Sequence, residues 1–226
     1  MTRRSFTLTL AVIAGLLFVT TASAMPSKPP QRYLAVPFEF VGAEGDCGEG
    51  SAAGEDTVHA AWVTHDGLPD AGKSDHALLL AKSGATANCA SAGAKVYKVE
   101  GITLTELGYD VRDDGDCSAN APRFEIVMSE DGLHTVGCAD GPVTETLTDR
   151  RDQSWSRKRW SADDLADGAL ASPPITPDSG TVVSITLVFD DGEDASDEST
   201  GHTFVDNIDV NGTLMGKPGL AKPPAH

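Results

Sequence analysis

Short runs of alternating apolar and polar residues recur along the chain, separated by Gly, Asp, Asn and Pro. In the run Val182–Phe189, the odd positions from Val183 onward are all apolar, whereas Ser184 and Thr186 are polar. A period of two residues is typical of a β-strand that buries one face. Such a face must be covered by a second sheet, and many short strands with few helices indicate a sandwich or a barrel. The sequence therefore predicts an all-β fold with a single β-sandwich.

Strands are predicted at 36–41, 60–64, 76–82, 96–99, 102–107, 123–128, 133–137, 143–147, 182–189 and 203–210. Val36, Phe38 and Phe40 fall on one face of the first of these strands. Phe124 and Met128 likewise share a face of the sixth. We expect both apolar faces to lie in the core, because large apolar side chains are mostly buried.

One short helix is predicted after position 160. Ser161 is a suitable N-cap, and Asp164 stands at the third helical position, where it completes a capping box. Trp160, just before the cap, can pack against Leu165, and Gly168 is a suitable end point. We expect this helix, about two turns long, to cover an edge or an open end of the sandwich.

The N-terminus has the organisation of an export signal. A charged segment, Thr2–Phe6, precedes an apolar stretch at 8–19, and Ala22–Ala24 is a cleavage site of small residues. Arg3 and Arg4 also resemble a twin-arginine export signal, which would imply a bacterial source, and an ordinary secretory signal is the alternative. Both predict a secreted or periplasmic protein.

Cleavage after Ala24 sets the predicted domain organisation. Residues 1–24 form the signal peptide, and 33–214 form the β-sandwich domain. The flanking segments 25–32 and 215–226 are rich in Pro or Gly, so we expect them to be disordered. No stretch after the signal is long and apolar enough to cross a bilayer, so membrane insertion is not expected.

The sequence carries 34 acidic and 17 basic residues, and its formal net charge is −17. Because nucleic-acid phosphates require a basic surface, this composition argues against nucleic-acid binding. It argues likewise against binding to anionic membrane surfaces. It suits an extracellular protein that tolerates salt or attracts cations.

The chain has four cysteines, and an even number in an exported protein predicts two disulfides. We expect Cys117–Cys138, because a hairpin is predicted between these two positions. The remaining pair is then Cys47–Cys89. A metal site is the alternative, although no C-x-x-C spacing occurs in the sequence.

Motifs of several enzyme classes are absent from the sequence, namely H-E-x-x-H, G-x-S-x-G, the P-loop and G-x-G-x-x-G. His59, His65 and His76 lie in one stretch and could converge on a metal ion. A carboxylate pair for glycoside hydrolysis also stays open, because it depends on distances between strands rather than on sequence spacing. A secreted hydrolase is therefore an alternative function.

A basic segment with two tryptophans precedes the predicted helix. Trp155, Trp160, Arg157 and Arg159 are candidate ligand-binding residues. Indole faces stack on sugar rings, and guanidinium groups bind carboxylates through two parallel hydrogen bonds. In the structural alternative, the arginines balance the acidic surface and a tryptophan anchors the helix.

Asp206 has the same parity as Phe204 and Val210 in the last predicted strand, so it is expected to face the core. A buried carboxylate requires a partner, and calcium is one that accepts several carboxylate and carbonyl oxygens. Asp190 and Asp191, in the acid-rich segment between the last two strands, are the other candidate calcium ligands. In the alternative, Asp206 accepts backbone N–H groups.

The last strand reads Phe-Val-Asp-Asn-Ile-Asp-Val-Asn-Gly from Phe204 to Gly212, and a Val-Ser-Ile-Thr-Leu-Val-Phe-Asp strand precedes it. This pattern resembles the end of bacterial secreted jelly-roll modules of the carbohydrate-binding, galactose-binding-like kind. The resemblance covers only this part of the chain. It implies that the sandwich is jelly-roll-like and that Asp206 binds a structural calcium ion.

The sequence therefore favours an exported, non-catalytic β-sandwich that binds a glycan or another extracellular partner and holds structural calcium. A secreted hydrolase is one alternative. A structural or adhesion protein without a small-molecule site is another. Exposed aromatic rings on one face would favour glycan binding, whereas a cleft with two carboxylates would favour a glycosidase.

Overall fold

The computed structural model of the protein describes residues 33–42, 57–70, 74–85, 88–118, 121–191 and 200–216. Its strands are β1 (Leu34–Val41), β2 (Thr57–Val63), β3 (Ala77–Ser83), β4 (Ala90–Tyr97), β5 (Glu106–Arg112), β6 (Arg123–Met128), β7 (Gly132–Gly137), β8 (Val143–Thr148), β9 (Ser154–Ser161), β10 (Val182–Phe189), β11 (Thr200–Val210) and β12 (Thr213–Met215). The α-helix α1 (Ala162–Leu165) follows β9, and a 3-10 helix spans Pro177–Ser179.

The strands form two antiparallel sheets that pack face to face. The five-stranded sheet has the order β1-β4-β10-β6-β7. The seven-stranded sheet has the order β2-β3-β11-β5-β9-β8, and its seventh strand, β12, pairs with β11. The prediction of an all-β sandwich with one short helix is confirmed.

The core lies between the two sheets and has an aromatic centre. The ring centroids of Tyr109, Phe124 and Trp160 lie between 5.3 and 6.3 Å apart, in tilted or edge-to-face arrangements. Phe124 and Met128 are both buried there, as the alternation in their strand predicts. Each large side chain that leaves water in this way stabilises the fold by about 1.5–3 kcal/mol.

The first strand faces the opposite way to our prediction. Val36 and Phe40 lie on the outer face of the five-stranded sheet, and the smaller Ala35 points into the core. Trp62 of β2 packs at this edge of the core, and its Nε1 donates to the carbonyl oxygen of Ala35 at 3.2 Å. Because the indole fills the space beside β1, the small face of β1 fits there and the large face turns outward.

The main differences from the prediction in the seven-stranded sheet concern β5 and β9, and the three-residue β12 was also not predicted. β5 runs from Glu106 to Arg112 rather than over 102–107, and β9 was not predicted at all. Both carry charged side chains on the outer face of the sheet, so apolar alternation does not reveal them. By contrast, β6 and β10 have the predicted bounds.

Helix α1 begins with the predicted capping box. The Ser161 hydroxyl accepts the backbone N–H of Asp164 at 3.3 Å, and the Asp164 carboxylate accepts the backbone N–H of Ser161 at 2.9 Å. The helix has a single turn of four residues, shorter than expected; it ends at Leu165, and Ala166 is its C-cap. Leu165 is buried, so the helix anchors the end of β9 to the core.

Candidate functional site

The four residues predicted to bind a ligand all lie on β9, but they point to both sides of the sheet. Trp160 faces the core, whereas Trp155 faces outward. Trp155 is covered by Leu68 from the β2–β3 segment, which comprises the described residues 64–70 and 74–76. Both indoles have 0% exposure, so neither offers a ring face to a sugar.

The two arginines of β9 both bind Asp110, which lies on the neighbouring strand β5. Arg157 donates to the two carboxylate oxygens at 2.9 and 3.1 Å, and Arg159 Nη2 lies 3.2 Å from Oδ1. Asn207 Nδ2 donates to Oδ2 at 2.6 Å. Asp110 is fully buried, so without these partners the fold would contain an uncompensated buried carboxylate. We call this group, with Asp209, the outer ion network.

A glycine makes room for the network. A Cβ atom at position 108 would lie 2.4 Å from Cδ of Arg159, so the arginine side chain lies flat on the backbone of β5 only because this residue is Gly108. The outward end of the network is Arg157 Nη1, which contacts the Glu145 carboxylate at 2.5 Å. Hydrogen bonding to Asp110 raises the pKa of Arg157. These contacts favour the structural interpretation of both arginines.

Asp209 is the member of the outer ion network whose carboxylate is incompletely hydrogen-bonded. Its Oδ2 lies 3.3 Å from Nε of Arg159, while its Oδ1 is buried without a hydrogen-bond partner among the described residues. Burial, with a smaller contribution from the nearby Glu106 carboxylate, raises the pKa of this carboxyl to about 6, although Arg159 opposes both effects. The ionised form is therefore disfavoured by its surroundings.

Asp206 is buried, but not in the core between the sheets. The pair Asp206–Asp110 is followed by the pair Asp209–Gly108, so β11 has one extra residue, a β-bulge at Asn207 with φ of 46°. The bulge reverses the parity, so Ile208 and Val210 face the core while Asp206 faces outward under the β2–β3 segment. The expectation that Asp206 shares their face is therefore wrong.

The carboxylate of Asp206 accepts backbone N–H groups, as in the alternative left open by the sequence. Leu68 N donates to Oδ2 at 3.0 Å, and Asn207 N donates to Oδ1 at 2.7 Å. The first bond ties the β2–β3 segment to the sheet. Arg150 and Arg151 hold the same segment through ion pairs with Asp75 and Asp66, at 3.1 and 2.6 Å.

The other two candidate calcium ligands have separate partners. Asp190 pairs with Arg123 at 2.7 Å, and Asp191 accepts a hydrogen bond from the hydroxyl of Ser118. Across the part of the chain that the structure describes, no three His, Cys, Asp or Glu side chains are grouped to hold a metal ion. Positions 192–199 lie outside the described residues, so calcium stays a prediction.

The histidines proposed to converge on a metal have different surroundings. His59 Nδ1 lies 3.1 Å from Glu39 on the surface, whereas His76 Nδ1 lies 3.0 Å from Asp70 in a buried pair. His65 lies at a turn with φ of 68°. The His76–Asp70 pair serves the β2–β3 segment, since Asp70 also accepts the backbone N–H of His76 at 2.9 Å.

The predicted disulfide Cys117–Cys138 is present, with an S–S distance of 2.00 Å. It links the segment after β5 to the end of β7. Cys89 is also disulfide-bonded, and its predicted partner Cys47 lies outside the described residues. A disulfide is compatible with an extracellular or periplasmic protein. No helix among the described residues is long and apolar enough to cross a membrane.

An exposed apolar surface among the described residues was not predicted as a site. It lies on the outer face of the five-stranded sheet, where Val36 is 37% exposed, Phe40 45% and Tyr97 46%. Between them, the ring of Phe38 lies against the backbone of Gly93, because a Cβ atom there would be 2.5 Å from two ring carbons. We call these four side chains of β1 and β4 the aromatic face.

Polar groups border the aromatic face. Lys95 Nζ lies 5.6 Å from the centre of the Tyr97 ring. The same cross-strand row continues through Thr186 to Glu125, which pairs with Arg123 at 2.7 Å. The sequence signal for this face was the alternation of β1, and the small Ala35 on the other side of the strand indicated the direction that the structure shows.

The fold and these contacts define an antiparallel β-sandwich with a disulfide, a buried ion network on one outer face and aromatic rings on the other. Comparisons with family models, with curated proteins and with solved structures found no match. The assignment to the class of antiparallel β-sandwich proteins therefore rests on the strand order and pairing of the two sheets.

Proposed function

We propose that the protein is an exported, non-catalytic β-sandwich module that binds a glycan through the aromatic face. The carrying observation is the outward orientation of Phe38, Phe40 and Tyr97 on adjacent strands. Exposed apolar surfaces on a sheet often mark binding sites, and aromatic rings offer flat apolar faces to the C–H groups of sugars.

The arrangement of β1 suits an elongated ligand. Val36, Phe38 and Phe40 alternate along one strand, so consecutive members are about 6.6 Å apart on the same face. Phe38 is held flat by Gly93, which limits the entropy lost when a ligand stacks on the ring. Binding modules gain affinity from such rigid aromatic groups at a low cost in side-chain order.

The polar border supports a hydrogen-bonding ligand. Lys95, Thr186 and Glu125 form one row across three strands beside the rings. Such groups can bind hydroxyls while the rings bind the apolar side of a sugar. With a net charge of −17, the protein repels polyanions at long range, so we propose a neutral glycan as the ligand.

The two fully buried carboxylates on the outer face of the seven-stranded sheet, Asp110 and Asp206, support a non-catalytic role. Asp110 is bound by two arginines and Asn207, and Asp206 is bound by two backbone N–H groups under the β2–β3 segment. Both side chains are fully buried. A glycosidase requires two carboxylates that reach the substrate, and these two are used inside the fold.

The proposal is tested by affinity electrophoresis in gels that contain neutral polysaccharides, for example xylan, hydroxyethylcellulose, soluble starch and glucomannan. The wild-type protein should be retarded by at least one of them. Phe40→Ser and Tyr97→Ser should each weaken binding about ten-fold or more, the equivalent of roughly 1.4 kcal/mol per lost ring contact.

Val143→Ser is the matched control, since Val143 is 55% exposed on the other sheet. This variant should bind like the wild type. Unchanged mobility of the wild-type protein in all four gels would refute a neutral-glycan module. An equal loss in Val143→Ser would show that the aromatic face is not the binding site.

A further inference from the structure

His134 is a buried histidine with two acceptors. It lies on β7 with its side chain fully buried. Its Nδ1 is 2.9 Å from the carbonyl oxygen of Pro173, and its Nε2 is 2.8 Å from Oδ1 of Asp131. Neither oxygen has a proton to give, provided that Asp131 is ionised.

Asp131 is held in its ionised form. A hydrogen bond from Ser179, with a second one from His134, lowers the pKa of the Asp131 carboxyl. The Ser179 hydroxyl donates to Oδ2 at 2.7 Å, while Oδ1 faces the imidazole. A neutral imidazole has only one N–H, so it can satisfy only one of its two acceptors. The doubly protonated ring satisfies both.

The two acceptors belong to opposite sides of one junction. Asp131 is in the turn between β6 and β7, whereas Pro173 belongs to the cover segment, residues 171–179. The cover segment lies along the edge of β7, where Thr135 and Ser172 exchange backbone hydrogen bonds of 2.9 Å in both directions. It also inserts Ile175 into the core. It thereby caps a strand edge that would otherwise expose unpaired backbone groups.

We propose that His134 is a proton-operated latch that holds the cover segment over the edge of β7. The doubly protonated ring joins the β6–β7 turn to Pro173. When the ring loses one proton, a nitrogen lone pair faces an oxygen lone pair, so one of the two contacts is lost. The edge of β7 then opens more often.

The charge that controls the latch is local. Among the described residues, Asp131 is the charged group in contact with the ring. Glu130, in the same turn, accepts from the Ser129 hydroxyl at 3.3 Å, and Asp178 of the 3-10 helix is exposed. On β6, Glu125 lies on the other face of the sheet and pairs with Arg123. The state of the ring therefore depends on Asp131 and on solution pH.

The test follows the ring and the strand edge together in the full-length protein. Nitrogen-15 NMR of the imidazole reports the protons on His134 across pH 5–9, and amide hydrogen exchange reports the Thr135–Ser172 bridge. After correction for intrinsic rates, protection of these two amides should fall about ten-fold, the effect of one lost buried hydrogen bond. The midpoint should match that of the His134 ring.

Two variants sharpen the test. His134→Gln should remove the pH dependence of Thr135 and Ser172 protection. His59→Gln should retain it, because His59 meets a carboxylate on the surface with no cover segment. Protection that stays constant while the His134 ring titrates would overturn the latch, as would an unaltered pH response in His134→Gln. If His134→Gln does not fold, the co-titration in the wild-type protein decides alone.

Discussion

Replacing Asp110 with alanine should lower the free energy of unfolding by about 3–5 kcal/mol, the cost of removing one partner from a buried ion pair. Asp110 is fully buried and receives three arginine contacts, at 2.9, 3.1 and 3.2 Å. Its loss would leave Arg157 and Arg159, both largely buried, without their shared counter-charge. Asn207 would also lose the acceptor of its 2.6 Å hydrogen bond.

A loss of this size is a large fraction of the roughly 5–15 kcal/mol that stabilises a typical protein. It can be measured by urea unfolding, followed by the fluorescence of the buried Trp155 and Trp160. The matched control is Glu145→Gln, which removes the other carboxylate on Arg157. Because Glu145 is 51% exposed, this change should cost less than about 1 kcal/mol.

The comparison separates burial from mere ion pairing. Both variants remove a carboxylate that contacts the Arg157 guanidinium, but Asp110 is buried and also contacts Arg159 and Asn207, whereas Glu145 is half exposed. If Asp110→Ala proves no more destabilising than Glu145→Gln, the outer ion network does not stabilise the seven-stranded sheet. A changed m-value instead of a changed midpoint would point to an effect on the unfolded or native ensemble.

Three further outcomes are expected. The pKa of Asp209 is raised from 3.8 to about 6, so the folded state holds the proton of this carboxyl more tightly than the unfolded state. The stability that this proton contributes is fully present below pH 3.8 and is lost as pH rises through 6. Asp209→Asn should therefore be the more stable protein at pH 7, by up to about 3 kcal/mol in urea unfolding, and equal stability would contradict the burial argument. Asp206→Ala should lower the free energy of unfolding by about 1–3 kcal/mol, because two buried N–H groups lose their acceptor. The Leu68 amide should then exchange faster with solvent, and unchanged exchange would show that another contact anchors the β2–β3 segment. If the acidic segment binds calcium, 1 mM calcium should raise the melting temperature relative to chelator, and identical melts would remove a stabilising site.

The fold class followed from residues whose local pattern and final environment agree. In β10 the apolar side chains of Ile185, Leu187 and Phe189 face the core, so alternation alone located the strand. Val183, which was expected on the same face, is exposed because the register shifts between Val182 and Ser184. The capping box at Ser161 and the disulfide at Cys117 depend on short spacings, which a sequence displays directly. Such features need no knowledge of distant partners.

The candidate sites depended on partners that are far apart in sequence. β9 was not recognised as a strand because its outward side chain Arg157 pairs with Asp110, which lies 47 positions away in the sequence, so the strand shows no apolar alternation. The direction of Asp206 depended on the bulge at Asn207, which shifts parity by one and leaves no apolar signal. The direction of β1 depended on the space that Trp62 occupies.

The aromatic face also affects how separate molecules of the protein meet in solution. An apolar patch on a soluble protein favours association, and here the net charge of −17 opposes close approach. Salt shortens the range of that repulsion, and acid removes carboxylate charge, so both should favour contact between patches. The net negative charge should therefore act as a colloidal barrier between the aromatic faces of separate molecules, and light scattering at rising salt should report their association.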